Sequence, residues 1–495
     1  MERFGKAAAS KEDRVDPRVW KMSWVVLLGP LLTSLDSTVV NVSLSTLGRE
    51  LHVPLTTLQW VITGYLLALA LMLPLSGWMV DRIGAKRVYL ACFSLFTFAS
   101  LLCGISNSAN ALIAARVLQG MAGGLLAPMA QMMVAREAPR HIARVMGIMV
   151  VPVLLGPICG PSLAGLILQH ASWRWIFFIN LPIGLIATVL AAWILPNDIR
   201  SERPRSFDLA GFLLISPGLV LLLYSLEGLG GSPSTEIVPL LELAISFALL
   251  IGFAIHATRR GTTALIDLSL FRNAPFRASA STQFLGNAVS FGGQMLLPMY
   301  LIVLLQIPPA ETGLLLASAG LGMLCSYPSM GSLTDRFGPR RVSASGALLA
   351  LLGTIPFALF FSSVLPKWTI CLFLFVRGMG MAAINIPSMA AAYSSLAKEV
   401  VATATTALNI VQRLGGPVAT TILAIFLHSR TISVARGSGS LPGSGSSHAF
   451  AATFWLLCTF HALAVLAAMR LPARIKHKAR SAKGEFAQEL ERIAE

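Results

Sequence analysis

Long apolar runs separated by short polar stretches repeat along almost the whole chain. Each run is about twenty residues long, the length that an α-helix needs to cross the hydrocarbon core of a bilayer. Because the number of runs is even, we expect both chain ends to lie on one side of an all-α membrane protein. The pattern predicts fourteen membrane-spanning helices, numbered spans 1 to 14, near residues 23–45, 57–80, 88–106, 110–134, 145–168, 175–195, 209–227, 237–257, 279–305, 312–333, 342–363, 368–391, 401–427 and 450–471.

Composition supports a lipid-embedded chain. Of its 495 residues, 55% are hydrophobic and only 12% are charged, about half the charged fraction of soluble proteins. Residues 1–21 are polar and basic and lack the cleavage pattern of a signal peptide. The cysteines and histidines have no metal-ligand spacing, and no glycine-rich phosphate loop ends in Lys-Ser or Lys-Thr. We expect no metal, no cofactor and no enzyme activity.

The net charge of +16 has two interpretations, which the positions of the charges distinguish. Lys and Arg concentrate in both tails and in alternate loops, and the opposite loops hold only Arg49, Arg174, Lys367, Arg430 and Arg436. Basic residues of membrane proteins collect on the cytoplasmic side. This asymmetry predicts two cytoplasmic termini in the inner membrane, and it excludes nucleic acid as the reason for the basic charge.

A short basic loop occurs twice, at residues 77–87 between spans 2 and 3 and at residues 331–341 between spans 10 and 11. Matched copies this far apart indicate an internal duplication, as in many transporters. Without spans 7 and 8, twelve helices remain in two halves of six. We predict an N-tail at 1–22, a six-helix bundle at 23–200, two extra helices at 201–260, a second six-helix bundle at 261–471 and a C-tail at 472–495. The residues that recur in the two loops are Gly77, Asp81, Arg82 and Gly84 in the first, and Gly331, Asp335, Arg336 and Gly338 in the second.

Charged residues deep inside the predicted spans are Asp36, Arg116, Arg377 and Arg413. Buried charges in membranes are costly and usually functional. Asp36, in span 1, can load and release a proton; the alternative is a structural aspartate that is permanently paired with an arginine. Arg116, in span 4, can couple that protonation to helix movement, or it can snorkel outward. Glu227, at the external end of span 7, is expected to be solvated.

Polar and glycine-rich stretches inside other spans suggest a hinge and a substrate cavity. Gly156-Pro157-x-x-Gly160 in span 5 favours either a bend between the halves or simple helix packing. Gln283 and Asn287 share a face of span 9, and either line a cavity or bond neighbouring helices. The full predicted cavity set is Asn41, Gln119, Gln283, Asn287, Gln294, Arg377, Asn409 and Arg413.

These motifs together resemble the fourteen-helix branch of the major facilitator superfamily, the drug:proton antiporter-2 family (EmrB/QacA-like). The resemblance covers nearly all of residues 20–471. It depends on the span 1 motif around Asp36, the loop at 77–87, Arg116-x-x-Gln119-Gly120, the span 5 motif, and the segment at 173–182 that opens span 6. It implies two six-helix bundles with two extra central helices.

The resemblance also implies proton-driven export by alternating access, with Asp36 and Arg116 in proton coupling. It implies that Asp81 faces the start of span 13 and that Asp335 faces the start of span 5, because a carboxylate docks well at a helix N-terminus. The leading hypothesis is an exporter of drugs or other amphipathic small molecules. The alternatives are an exporter of anionic metabolites or lipids, favoured by the excess of intramembrane arginines, and a receptor or enzyme that kept the fold. The expected partners are a small-molecule substrate, protons and the lipid bilayer; a monomer and a periplasmic adaptor protein both stay open.

Overall fold

The computed structural model describes residues 15–138, 141–198, 206–231, 237–359, 366–397, 400–437 and 444–474, and within these ranges the chain is helical without a strand. The spans keep their numbers. Spans 1 to 7 are Pro17–Leu51, Leu55–Met72 with Leu75–Ile83, Ala85–Ile105, Ala109–Glu137, Ile142–His170, Trp175–Phe178 with Asn180–Ile194, and Leu209–Gly231. Spans 8 to 14 are Ile237–Arg260, Ala274–Met299, Pro309–Phe337, Pro339–Leu352 with Ile355–Leu359, Lys367–Ser394, Val401–Gly437 and Ser444–Met469.

The all-α membrane fold predicted from the sequence is confirmed. Thirteen helices in the described part of the chain are long and apolar enough to cross a membrane. The fourteenth is span 2, in which two helices meet at an angle of 55°. Pro74 lies at this break, where the missing N–H and the ring of a proline interrupt helical hydrogen bonding.

Prolines inside the spans leave carbonyl groups that neighbouring helices satisfy. Pro157 cannot donate to the carbonyl of Val153, and the hydroxyl of Ser34 in span 1 donates to it at 3.1 Å. The phenol of Tyr89 in span 3 likewise donates to the Val26 carbonyl at 2.6 Å, one turn before Pro30. A free carbonyl in hydrocarbon costs several kcal/mol. These bonds therefore allow proline in a membrane helix and also fix the helix pairs.

The two halves pack closely at the end of the bundle that carries both copies of the duplicated loop, here named the loop end. The second helix of span 2 contacts the start of span 13, and the hydroxyls of Ser76 and Thr406 are 2.7 Å apart. The start of span 5 contacts the end of span 10, where a Cβ on Gly147 would come within 2.7 Å of the Tyr327 carbonyl oxygen. Backbone-to-backbone packing of this kind brings membrane helices together without bulky side chains.

Span 7 covers the boundary between the halves along spans 2 and 13, and span 8 packs on the outside of span 7. Span 7 packs on span 8, and it contacts both span 2 and span 13. The rings of Trp60 in span 2 and Tyr224 in span 7 stack with centroids 5.8 Å apart. The hydroxyl of Thr421 in span 13 donates to the Leu226 carbonyl at 2.8 Å. The extra helices are therefore part of the bundle wall between the two halves.

Asp208 anchors this extra pair just before span 7 begins. Its buried carboxylate accepts the backbone N–H groups of Gly211 at 3.0 Å and Leu265 at 3.1 Å. It also contacts His256 and Arg260 near the end of span 8, each at 2.8 Å. Burial opposes the charged form, but these donors lower the pKa of Asp208 below its ordinary range. One carboxylate thus joins the start of span 7, the end of span 8 and the segment that follows.

Candidate functional site

Asp36 and Arg116 form a buried ion pair between spans 1 and 4. Nη1 of Arg116 donates to Oδ2 of Asp36 at 2.6 Å, and both side chains are at most 1% exposed. The membrane environment makes a lone charge on either side chain expensive. The ion pair satisfies both groups, so Arg116 points inward to Asp36 and does not snorkel to the surface.

Three neutral side chains complete the surroundings of this carboxylate. Its other oxygen, Oδ1, accepts from Nε2 of Gln119 at 3.0 Å and from Nδ2 of Asn180 at 2.8 Å. Gln119 also donates to the hydroxyl of Ser100 at 2.7 Å, and Asn180 is 3.5 Å from the same hydroxyl. Spans 1, 3, 4 and 6 therefore meet at one aspartate, and three donors stabilise its ionised form.

The guanidinium of Arg116 is held on its remaining sides by span 2 and span 6. Nε donates to the carbonyl of Val61 at 3.2 Å, and Cζ lies 4.2 Å from the ring centre of Tyr65 and 5.9 Å from that of Phe177. An arginine over an aromatic face gains a cation–π interaction in a dry site. The carboxylate of Asp36 and these aromatic rings together surround the buried guanidinium.

The span 5 glycines lie directly beside this site. A Cβ on Gly156 would come within 2.9 Å of the Ser34 Cβ, and one on Gly160 would come within 2.8 Å of the Thr38 Cβ. Ser34 and Thr38 flank Asp36 on span 1. The spacing is a small-xxx-small contact, which lets two membrane helices approach closely. Pro157 lies on the exposed side of span 5, so packing accounts for the two glycines, and the hinge stays a prediction.

The first loop copy lies against the start of span 13. A Cβ on Gly77 would be 3.2 Å from the Ala402 carbonyl oxygen and 3.0 Å from the Thr406 hydroxyl. Asp81 borders the same narrow gap as Thr403. Arg136, at the end of span 4, donates a hydrogen bond to the carboxylate of Asp81 at 3.4 Å. Arg82 projects from the exposed surface of the same short helix.

The second copy repeats this arrangement against span 5. A Cβ on Gly331 would overlap the backbone of Arg144, and Oδ2 of Asp335 lies 3.8 Å from Nη2 of the same arginine. Arg336 is exposed, with its guanidinium 5.1 Å from the ring centre of Phe337. In both copies the glycine allows close contact and the aspartate lies at the interface of the halves.

The last glycine of each copy ends one helix and starts the next in a backbone region that side chains rarely adopt. Gly84 has φ of 103° and Gly338 has φ of 83°, so a side chain at either position would be strained. Asp198, after span 6, accepts the N–H groups of Lys86 at 2.8 Å and Arg87 at 3.2 Å at the N-terminus of span 3. The sequence carries no local signal for this cap, because more than a hundred residues separate its partners.

A cavity of about 690 Å³ lies between the halves, and neither Asp36 nor Arg116 lines it. Spans 2, 4, 7, 9 and 13 line it. Of the predicted cavity residues, Asn287, Asn409 and Arg413 line it. Asn409 donates to Gln131 of span 4 at 2.9 Å, which places an amide pair across the two halves. A larger hollow of about 950 Å³ lies at the loop end beside Asn273 and the ends of spans 9 and 12, wholly outside the first half.

The structure does not bring the other predicted cavity residues to this cavity. Gln119 belongs to the Asp36 site. Gln283 joins span 9 to span 12 by donating to the Asn385 carbonyl at 2.7 Å and the Ser388 hydroxyl at 3.0 Å. Asn41 and Gln294 are exposed. Period and polarity alone predicted one stripe on span 9, but its polar residues have separate environments.

Arg377 is also absent from this cavity. Its side chain is buried between spans 9, 11 and 12, and Nη2 donates to the carbonyl of Val289 at 2.7 Å. Its Nε has no hydrogen-bond partner among the residues that the structure describes. Within the described ranges no carboxylate pairs with it, in contrast to Arg116. Arg377 therefore does not line this cavity, and its contact with a substrate stays a prediction.

Comparisons with known proteins agree with this architecture. The family model described as "Major Facilitator Superfamily" matches residues 26–420. A "Multidrug resistance protein B homolog" of Mycobacterium tuberculosis is 34% identical over 453 residues, with 88% of this chain and 82% of that protein covered. The "Putative multidrug resistance protein MdtD" of Escherichia coli is 33% identical over 370 residues, covering 74% of this chain and 77% of its own. A solved structure of a double-tryptophan XylE mutant matches with a TM-score of 0.64 at 14% identity, covering 92% and 97%; it shows the fold alone.

Proposed function

Because this chain belongs to the major facilitator superfamily, we propose that it exports drugs or other amphipathic small molecules in exchange for protons by alternating access. Membership makes it a membrane transporter and not an enzyme. The multidrug-resistance names of its relatives support drugs as the substrate class. The concentration of basic residues on one side supports cytoplasmic termini and a cytoplasmic loop end.

The buried site at Asp36 is the observation that carries proton coupling. Asp36 is a carboxylate whose ionised form is held by Arg116, Gln119 and Asn180. A proton can replace the arginine as its partner only if span 4 or span 1 moves. Protonation and helix position are therefore linked, and a conformation with a different Asp36–Arg116 distance would have a different proton affinity.

The duplicated loops supply the contacts that such a movement must break. Asp81 pairs with Arg136 of span 4 and borders the start of span 13, and Asp335 pairs with Arg144 at the start of span 5. Contacts of this kind are worth about 0.3–2 kcal/mol each. Two of them can bias a balanced equilibrium between inward and outward states without locking it.

Export of anionic metabolites or lipids is the second candidate, and one observation favours it. Arg413 lines the cavity, and no ion pair or hydrogen bond holds its guanidinium within the described part of the chain. An unpaired cation in a partly apolar cavity attracts a carboxylate or phosphate. Arg413 therefore supports an anionic group on the substrate, whatever the remainder of the molecule is.

Reconstitution in liposomes with an acidic lumen tests the proposal. We expect a fluorescent drug such as ethidium to accumulate inside while the lumen becomes more alkaline. Collapse of the proton gradient by an uncoupler should stop accumulation. Uptake that persists at the same rate without a gradient would contradict proton coupling, and transport of organic anions alone would favour the second candidate.

A further inference from the structure

Glu227 brings an acidic group to the cavity that also contains Arg413. The sequence places Glu227 near an external helix end, where a solvated side chain is expected. In the structure it lines the cavity of about 690 Å³ from span 7, together with Leu219 and Leu223 of the same helix. The extra helices therefore contribute a charged group as well as a wall.

Glu227 and Arg413 do not pair with each other or with another group in the described ranges. An ion pair requires an N to O distance of 4.0 Å or less, and both side chains lie outside all such pairs found there. Glu227 is exposed and Arg413 is partly buried. The cavity thus presents one available anion and one available cation.

Their separation follows from how span 7 docks on span 13. The Leu226 carbonyl accepts a hydrogen bond from Thr421 at 2.8 Å, so Glu227 lies close to the level of Thr421. Arg413 lies eight residues earlier on span 13, with Pro417 between the two positions, which is roughly 12 Å along a helix axis at 1.5 Å per residue. Both side chains can extend into the space between these levels.

The wall between the two charged groups is mostly apolar. Span 2 contributes Leu66 and Leu67, span 9 contributes Phe291, and span 13 contributes Leu414 and Pro417. Such a surface binds a hydrophobic or aromatic body without fixing its shape. A ligand with a cationic charge alone would leave the partly buried guanidinium of Arg413 facing an apolar surface, which costs desolvation energy.

We propose that this cavity takes amphipathic zwitterions, with the cationic end at Glu227 and the anionic end at Arg413. The inference depends on the proposed function, because it assigns the substrate class of that exporter. It makes Glu227 and Arg413 specificity-determining residues with opposite preferences. A cationic ligand of the same shape would gain only the Glu227 contact and would bind more weakly.

A matched pair of dyes provides the probe: tetramethylrhodamine, a zwitterion, and its methyl ester, a cation with the same ring system. Fluorescence polarisation with the purified protein in lipid nanodiscs, without a proton gradient, measures affinity for each. We expect the zwitterion to bind at least tenfold more tightly. Arg413→Gln should remove this preference and leave the ester unchanged, and Glu227→Gln should weaken both dyes about equally.

Glu242→Gln is the control, because Glu242 is an acid of span 8 outside the cavity; it should change neither affinity. Arg413→Lys and Glu227→Asp keep the charges and should keep most of the preference, which separates charge from folding. Equal binding of both dyes to the wild type, or an equal loss for both in Arg413→Gln, would overturn the inference. Gradient-driven uptake of the ester without a zwitterion preference would overturn it while the proposed function stands. A zwitterion preference without gradient-driven uptake would leave the inference standing and contradict proton coupling.

Discussion

The guanidinium of Arg377 lies against the backbone of Gly293, so close that a Cβ on this glycine would overlap it. In the first half, the corresponding neighbour of Arg116 is Asp36. The duplication extends to the next helix, because Ser100 and Thr354 follow Gly84 and Gly338 at the same offset. Ser100 contacts Asn180, whereas Thr354 contacts His461 at 3.1 Å. Within the described ranges, the second half thus has a buried arginine in the matching helix but no carboxylate paired with it.

This difference predicts opposite responses of the two arginines to neutralisation. Removing one partner of a buried ion pair typically costs about 3–5 kcal/mol, so Arg116→Gln should lower the melting temperature markedly. Arg377→Gln removes a buried charge that has no carboxylate partner and keeps a donor for the Val289 carbonyl. We expect its melting temperature to hold or rise, as measured by dye-based unfolding in detergent. A fall as large as that of Arg116→Gln would show that the two sites are equivalent.

Asp36→Asn should uncouple transport from protons. Asn keeps the size of the side chain, and the amides of Gln119 and Asn180 can turn to satisfy it, so the protein should fold with reduced stability. Without a titratable group, substrate-driven alkalinisation of liposomes should disappear, and substrate should still bind. Glu242→Gln, on exposed span 8, is the control and should transport normally. Proton-coupled export by Asp36→Asn at the wild-type rate would refute the role of this residue.

Asp81→Asn and Asp335→Asn should shift the balance between inward and outward states without altering substrate affinity. Each aspartate lies at the closed loop end, outside the cavity. Loss of about 0.3–2 kcal/mol per contact corresponds to a change of roughly twofold to thirtyfold in a two-state equilibrium. The loop end should become more accessible to a thiol reagent at an engineered cysteine near Thr403. Unchanged labelling in both variants would remove these residues from the switch.

Periodicity and charge predicted much of this fold, because each membrane helix must be apolar over a fixed length. The duplicated loop predicted the pairing of halves, and the rarity of buried charge pointed to Asp36 and Arg116. Which side chains face the cavity is harder to predict from the sequence. The shared face with Asn287 predicts a cavity position for Gln283, and the lack of a deep acid in the second half predicts one for Arg377. Membrane helices are apolar all round, so periodicity gives little contrast to identify the inner face.

Contacts between residues that are far apart in the chain are also hard to predict from the sequence. Ser100 carries no signal of its own, and Asn180 was noticed only as part of a motif at the start of span 6. Only the packing of the helices shows that Asn180 donates to Asp36 and that Ser100 accepts from Gln119 beside it. Glu227 is exposed, as its position near a helix end predicts. Its place on the cavity follows from the docking of span 7 on span 13, which the sequence of span 7 does not encode.

The anchor at Asp208 gives a prediction for the extra helices. The folded state lowers the pKa of Asp208, so the unfolded state binds the proton more readily. The stabilisation is therefore present above the ordinary pKa of an aspartate and is lost as the pH falls through the lowered folded value. At neutral pH, Asp208→Asn should lower the melting temperature, since hydrogen bonds to a charged group are worth about 1.5–3 kcal/mol each.

The same variant should loosen spans 7 and 8 before the two six-helix halves. Hydrogen exchange at neutral pH should rise in residues 209–231 and 237–260 and stay unchanged around Asp36. Asp267→Asn is the control, because Asp267 caps only a short turn through Ser269 at 2.8 Å. As the pH falls below the ordinary pKa of an aspartate, the advantage of the wild type over Asp208→Asn should begin to shrink, because protonation removes the charge that the substitution removes. A stability difference that stays constant from pH 7 to pH 3 would show that the carboxylate charge does not hold the extra helices in place.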